Sequence, residues 1–359
     1  MIRSQKIIIT GTHPTPAIEL IRQLKLDRNI NWEIHYLGRR YNSNTNSQPS
    51  IESKIIPKTG VKFYKLDSGK FDRRWLPNTI TGLPKIITGF LQSYRIIKKI
   101  KPAVVLSFGG YVSVPVIISA WLQRIPAITH EQTLTLSLST RINSFFCKKV
   151  ALSFPTTKKS SKYVVTGNLL RQEIFSTKSA LFKDFIPKIK KHPLIFLTAG
   201  NQGSHLLNST VKEILPDLTK KYTIIHQTGQ QDFSTYHQLS SKYPNYHVYK
   251  YIESQDIGWV FFHSSLIICR AGANTTQEID ILDKKCIIIP LPSSQQNEQL
   301  KNAIYLKNKH PKNTILIENK DLNAEKLLLS INRILSTTKK NRPLSTYTNL
   351  NLLNLLKKL

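Results

Sequence analysis

Short runs of β-branched and aliphatic residues recur along the whole chain, each followed by a longer segment of helical character, and this alternation limits the possible folds more than any other feature. The first series lies at residues 6–10, 33–37, 104–108, 127–130, 150–154 and 163–166. A second lies at 194–199, 223–227, 247–249, 266–270, 286–290 and 314–317. Runs this apolar predict parallel strands covered on both faces. The helical spacers predict βαβ crossovers, hence an α/β fold of doubly wound domains. The series restarts after a basic, proline-bearing stretch, 176–192, without strand signal. The expected organisation is a first domain over 1–175, a connection over 176–192, a second domain over 193–340 and a closing helix over 341–359. At 359 residues, two domains are the ordinary outcome, and 40% hydrophobic residues suffice for real cores. Residues 42–53 are polar and of low complexity and read as an exposed loop. The leucines of 344–359 fall close to one helical face, suited to packing on the protein or to touching a membrane.

In doubly wound sheets ligands bind beyond the carboxyl ends of the strands, so the residues following each run are the candidates. After the first run, Gly11 leads through His13 into a helix opened by Pro14 and Pro16. That places an imidazole beside a positive helix end, which suits a neutral base or a plain surface histidine. The segment VVLSFGGYVSVP brings Gly109 and Gly110 to a helix start, where turn amides either make an anion site or simply close a tight turn. His130, Glu131 and Gln132 end another strand, as a substrate-facing edge or as caps for the next helix. In VVTGNLLR, Gly167 and Asn168 form a turn, and Arg171 is placed to offer a planar fork to a phosphate or to make a surface ion pair. Gly200, Gly203 and Ser204 lie between strand and helix in TAGNQGSH, the best diphosphate cradle in the chain. In CRAGANTTQEI, Arg270 and Gly272 precede a helix bearing Thr275, Thr276 and Glu278, a carboxylate positioned for ribose hydroxyls. Glu298, Gln299 and Asn302 follow the run at 286–290 and suit sugar hydroxyls.

The 52 Lys and Arg against 21 Asp and Glu give a formal charge of +31. Such a chain is drawn to nucleic acid, an anionic membrane or a phosphate-bearing substrate; a lysine-rich compositional bias gives the same count. No P-loop, HExxH, GxSxG, GxGxxG or zinc spacing occurs, and no RNA- or DNA-binding module is visible. Cys147, Cys269 and Cys286 form no CxxC pair, which fits a reducing compartment. The apolar run at the N-terminus is too short for a signal peptide, and no stretch reaches spanning length. A soluble or peripheral protein is expected.

Taken in order, FGGYVSVP, HEQ, TGN-xx-R, GNQGS, CRAGANTTQEI and NEQ-xx-NA make the chain resemble the MurG family, over about residues 6 to 335. That family completes the lipid-linked disaccharide-peptide precursor of peptidoglycan. The resemblance implies a GT-B fold, two facing Rossmann-like domains with a cleft between them. It also implies an inverting transfer of N-acetylglucosamine from UDP-GlcNAc to a polyprenyl-diphosphate-linked acceptor, with no obligatory metal, at the cytoplasmic face of a membrane. Carried over by position, donor contacts fall to Asn168, Arg171, Gly200, Gln202, Gly203, Ser204, Ile252, Arg270, Gly272, Ala273, Thr275, Glu278, Glu298 and Gln299. Acceptor contacts fall to Gly11, Thr12, Gly109, Gly110, Tyr111, His130, Glu131, Gln132 and Thr133, and the base to His13. The first loop departs from the family's glycine-rich GGTGGH, keeping Gly11 and the histidine. Thr133 stands where the family commonly has Asn, and Leu169 where it has Pro. Residues 71–101 join Trp75, Leu83, Ile86, Ile87, Phe90 and Leu91 to Arg73, Arg74, Lys85, Arg95, Lys98 and Lys99, a composition suited to a membrane interface. The alternatives are another GT-B glycosyltransferase such as a glycolipid synthase, a UDP-sugar epimerase, or a non-catalytic nucleotide-sugar binder.

Overall fold

A computed structural model describes residues 3–39, 41, 49–67, 78–155, 160–200, 202–292, 297–337 and 351–359, the side chains of 78–85 excepted. Part of the expected loop, 42–48, therefore lies outside the described residues, as do Arg73, Arg74 and Trp75 of the expected interfacial stretch. The chain divides into two units, Met1–Leu170 with Thr348–Leu359, and Arg171–Tyr347.

The first unit runs β1 (Arg3–Thr10), α1 (Pro14–Lys25), β2 (Ile30–Arg39), α2 (Ile51–Ile55), β3 (Lys62–Leu66), α3 (Asn78–Ile100), β4 (Val104–Ser107), α4 (Ser113–Leu122), β5 (Ala127–Glu131), α5 (Leu138–Phe146), β6 (Lys149–Leu152) and β7 (Tyr163–Val165). The second unit runs α6 (Ile186–Lys191), β8 (Leu194–Thr198), α7 (His205–Lys221), β9 (Thr223–Gln227), α8 (Phe233–Ser240), β10 (Tyr246–Tyr249), α9 (Ser254–His263), β11 (Ser264–Arg270), α10 (Ala273–Ile281), β12 (Cys286–Ile289), α11 (Glu298–Lys309), β13 (Thr314–Leu316) and α12 (Ala324–Ser336). The chain then returns to the first unit as α13 (Asn351–Lys357).

Strand order is β3-β2-β1-β4-β5-β6-β7 in the first sheet and β10-β9-β8-β11-β12-β13 in the second. Every strand pairing within the two sheets is parallel among the described residues. Both sheets are the doubly wound kind expected, and in each the order reverses once, at β1/β4 and at β8/β11. Successive strand residues point to opposite faces, so each continuous apolar run fills two layers. Ile7 and Ile9 pack with α1, while Ile8 packs with Val116 and Ile117 of α4. In the second unit Phe196 and Ile267 serve one layer, and Ile195 and Ile268 the other.

Three expectations change. Residues 51–53, the end of the expected loop, instead begin α2, because Ser50 caps that helix by accepting the Ser53 amide at 3.1 Å. The stretch 176–192 is not a free connection: Phe182 is fully buried and stacks on Trp259 at 5.1 Å between ring centres, inside the second unit. The strand β3 adds a member to the first sheet where no apolar run announces one. The closing helix packs through Leu352, Leu353 and Leu356 into the layer that holds α1.

One polar contact pins that helix. Lys357 Nζ lies 2.8 Å from Asp27 Oδ1, and Trp32 Nε1 donates to the other oxygen at 3.0 Å. Burial acts to raise the Asp27 carboxyl, but the bonds from Lys357, Trp32 and the Asn29 amide outweigh it and hold it below its ordinary value. A carboxylate so depressed stabilises the fold above its unfolded-state value, and the benefit disappears as pH falls through the folded value. Lys357→Ala is expected to cost about 1–2 kcal/mol at neutral pH, read from urea midpoints. The gap to the wild type should then close on acidification below pH ~4.

Candidate functional site

Each strand-order reversal opens a mouth at the carboxyl ends of the strands, where crossovers part to opposite faces. The two mouths, one in each unit, hold most of the candidate residues.

In the first unit the mouth is formed by the loops after β1 and β4. Tyr36 on β2 donates its hydroxyl to the Gly11 carbonyl at 2.8 Å. The two loops are pressed together: a Cβ on Gly110, at φ +80°, would stand 2.3 Å from Thr12 Oγ1. His13 occupies the N-cap position of α1 without capping it. Its Nδ1 lies 2.9 Å from the Phe108 carbonyl. A carbonyl only accepts, so Nδ1 donates here, and of the two neutral tautomers this contact selects the one whose lone pair is on Nε2.

The amides expected to bind an anion are engaged internally. Gly109 N donates to Ser107 Oγ at 2.9 Å, and Gly110 N to Ser139 Oγ at 3.1 Å. Tyr111 stays partly exposed at the rim. The expected substrate-facing edge is instead buried. His130 is 1% exposed, with Nε2 donating to the Gly167 carbonyl at 3.0 Å, and burial lowers its pKa so that it is neutral. Glu131 shapes the following turn, accepting from Thr133 Oγ1 at 3.0 Å and from the Ser137 amide at 2.8 Å. Gln132 is buried, with Nε2 unpartnered among the described residues. Asn168 is buried in this unit and accepts the Leu169 amide at 3.0 Å.

In the second unit the mouth lies between the loops after β8 and β11. Arg270, at the end of β11, is largely buried. Its Nη2 donates to Ser204 Oγ at 2.6 Å, and its Nη1 to Asn319 Oδ1 at 2.7 Å and the Ile289 carbonyl at 3.3 Å. These are neutral oxygens. Burial accordingly pulls the guanidinium pKa down, and Nε has no partner among the described residues. Ser204 also caps α7, so the cation stands at that helix's positive end. A buried positive charge with neutral partners at a helix N-terminus calls for an anion.

Around it, the glycines divide by task. A Cβ on Gly203, at φ +77°, would sit 2.0 Å from the Thr228 carbonyl, so Gly203 locks two loops together. A Cβ on Gly200 or Gly272 would meet nothing within 4 Å, which leaves backbone open to a ligand. Gln202 lies in the same loop, while Ala273 and Thr275 sit in the first turn of α10. Glu278, one turn further, is 1% exposed; Arg171 Nε donates to its Oε1 at 2.8 Å. Its Oε2 has no partner among the described residues. Arg171 is thus drawn to the carboxylate expected to hold ribose. Glu298 and Gln299 open α11, and Gln299 Oε1 accepts the Leu291 amide at 3.0 Å. Asn302 ties α11 to the β11 loop through the Ala271 carbonyl at 3.1 Å.

Gln227 is an organising residue that sequence reasoning passes over. Its Nε2 donates to the Gly200 carbonyl at 3.0 Å, and its Oε1 accepts the Ile252 amide at 2.9 Å. The Ile252 N–H is therefore spent inside the protein. A signal exists, since Gln227 is the polar last residue of an otherwise apolar strand. From the glycine geometry, Gly203→Ala is expected to cost more than about 2 kcal/mol, and Gly272→Ala to stay within about 0.5 kcal/mol of wild type. Thermal unfolding of the two variants checks this contrast.

The chain matches the glycosyltransferase family 28 N-terminal domain over residues 8–152 and the family's C-terminal domain over 194–358. A relative from Clostridium tetani named UDP-N-acetylglucosamine--N-acetylmuramyl-(pentapeptide) pyrophosphoryl-undecaprenol N-acetylglucosamine transferase is 31% identical over 345 residues, 94% of this chain and 91% of that one. A Clostridium perfringens protein of the same name is 32% identical over 340 residues, 92% and 90% of the two chains. Among solved structures, Acinetobacter baumannii MurG superposes with a TM-score of 0.73 at 23% identity, over 99% of this chain and 100% of that one. A UDP-GlcNAc 2-epimerase from Neisseria meningitidis bound to UDP-GlcNAc superposes with a TM-score of 0.62 at 14% identity, over 98% of each chain. At those identities the structural likeness establishes the GT-B type of fold alone.

Proposed function

Because this chain belongs to glycosyltransferase family 28, we propose that it transfers N-acetylglucosamine from UDP-GlcNAc to N-acetylmuramyl-(pentapeptide) pyrophosphoryl-undecaprenol, the reaction named for its relatives. The observation that carries the donor half is the buried Arg270 guanidinium on Ser204 at 2.6 Å, a ready counter-charge for a diphosphate. In this reading Arg270, Ser204 and the α7 N-terminus take the charge of the leaving UDP, with no metal in the role. The open backbone of Gly200 and Gly272 lets the phosphates approach. The unpartnered Oε2 of Glu278 accepts from ribose, Arg171 steadies that carboxylate, and Ile252 lies against the uracil. Glu298 and Gln299 serve the sugar. On the acceptor side, His13 Nε2 takes the proton of the attacking hydroxyl while Nδ1 stays anchored on Phe108, and the anomeric centre inverts in a single displacement.

His13→Ala is expected to lower turnover by about 10²–10⁴-fold while UDP-GlcNAc affinity, measured by calorimetry, stays at the wild-type value. Undiminished transfer to a lipid-linked acceptor would remove His13 from the role of base.

We further propose that the first unit meets the membrane that carries the acceptor. No described helix is long and apolar enough to cross a bilayer. On α3, Ile87 and Leu91 are exposed beside exposed Arg95, Lys98 and Lys99. Helix α4 packs against α3 through Gln123 Nε2, 3.1 Å from the Tyr94 carbonyl. It carries Trp121, 52% exposed, and Phe145 on α5 is 78% exposed. Those two rings line one hollow with Arg124 and Lys148, an aromatic and cationic mixture suited to an anionic interface. The protein should co-sediment with vesicles containing anionic lipid and release as salt rises, with Trp121→Ala/Phe145→Ala binding several-fold more weakly. Binding indifferent to lipid charge would refute the surface assignment.

A further inference from the structure

A buried polar chain links α7, β9 and β10 beside the mouth of the second unit. His226 on β9, Asn208 on α7 and Tyr246 on β10 are all buried. His226 Nδ1 lies 2.7 Å from the Tyr246 hydroxyl, and His226 Nε2 lies 3.0 Å from Asn208 Oδ1. Asn208 Nδ2 donates to the Thr228 carbonyl at 3.1 Å and to Asp232 Oδ2 at 2.7 Å. Only acceptors face that nitrogen, so the amide is fixed one way round. Its oxygen must then accept from His226 Nε2, and Tyr246 must donate to the bare Nδ1. Burial pulls the His226 pKa down to about 3, so the imidazole stays neutral and this order of donors holds at neutral pH.

The chain ends on the Thr228 carbonyl, the group that a Cβ on Gly203 would meet at 2.0 Å. A Cβ on Gly229, at φ +83°, would likewise stand 2.6 Å from Gly203 N and from the Gln202 carbonyl oxygen. The loops after β8 and β9 are thus interleaved backbone to backbone, and Asn208 holds one side of the seam. Its own amide bonds the Ser204 carbonyl at 2.9 Å in the first turn of α7. One residue therefore ties the β9 loop to the helix that starts where the β8 loop ends. That β8 loop presents the open backbone of Gly200 and the Ser204 hydroxyl on which Arg270 Nη2 rests. Backbone donors serve an anion only while they stay aimed at it. A polar network with its bonds made rigidifies what it touches, and Asn208 uses both Nδ2 hydrogens and its oxygen.

We propose that Asn208, set by His226 and Tyr246, is a positioning residue for the anion-binding loop at the β8/β11 mouth: it fixes the Thr228 carbonyl against Gly203 and so keeps the backbone of Gly200 and Gly203 aimed at the diphosphate of the donor. That the anion is the donor's diphosphate rests on the transferase reading; the ordering of the loop by Asn208 does not.

Asn208→Asp keeps the shape and the bond from His226 but turns a carboxylate oxygen on the Thr228 carbonyl and on Asp232. In the full-length protein it should bind UDP about tenfold or more weakly by calorimetry. The KM for UDP-GlcNAc should rise by a similar factor, with the KM for the lipid-linked acceptor unchanged. Amide hydrogen exchange of the ligand-free protein, read by mass spectrometry, should quicken across residues 199–204. The exchanged pair Asn208→Asp/Asp232→Asn separates positioning from stability alone. It restores the bond between positions 208 and 232 with donor and acceptor reversed, so the thermal midpoint should recover toward the wild type. It leaves the Thr228 carbonyl without that donor, so UDP affinity and loop exchange should stay as in the single variant. Recovery of UDP affinity together with the midpoint overturns the proposal, as does wild-type UDP affinity in folded Asn208→Asp. Wild-type protein that binds no UDP, with exchange over 199–204 faster in both variants, would fault the transferase reading and leave the positioning role standing.

Discussion

Parallel pairing throughout both sheets governs where this molecule can place polar chemistry. When all strands of a sheet run one way, their carboxyl ends share one edge, and every chain reversal at that edge is a loop. Helices cover both faces, so strand interiors must be apolar on both sides, as Ile7, Ile8 and Ile9 are, each fully buried. Charged and hydrogen-bonding side chains are thereby expelled to the strand ends. Where strand order reverses, neighbouring crossovers leave to opposite faces and the edge stays open. Arg39, Gly109, Gly203 and Arg270 all lie at or just after the ends of strands that border such a reversal or stand next to one.

The two mouths handle charge in opposite ways. Beside the first, Arg39 has a dedicated counter-ion in Glu52. In the second, Arg270 rests on a hydroxyl, an amide oxygen and a carbonyl, and Glu278 carries an oxygen without a bond among the described residues. The second mouth is therefore the more unfinished electrically. An anion arriving there relieves a desolvated charge.

The β-branched runs reveal nearly all of the strands because burial on both faces leaves a strong mark in sequence. The exception is β3, VKFYKL with its flanking residue, where Lys62 and Lys65 are exposed at the sheet edge. An edge strand tolerates charge, and so loses the signature that betrays its neighbours. Site residues are legible to the extent that they come after strands. Their engagements are not. That Gly109 and Gly110 amides turn inward, that Gln227 uses the Ile252 amide, and that Arg39 reaches Glu52 across a helix cap all depend on three-dimensional register between segments far apart in the chain. Residues 51–53 are hidden for a different reason: a serine cap outweighs polar, low-complexity surroundings.

The return of α13 to the first unit makes that unit discontinuous along the chain. Its layer around α1 is completed by Leu352, Leu353 and Leu356, which the ribosome delivers after the whole of the second unit. The usual N-to-C order of domain maturation is thus inverted in part: the continuous later unit can close on itself while the earlier one still waits with an uncovered apolar strip. During synthesis that strip is the exposed surface a chaperone would find, and its lifetime is set by the time needed to translate the intervening segment.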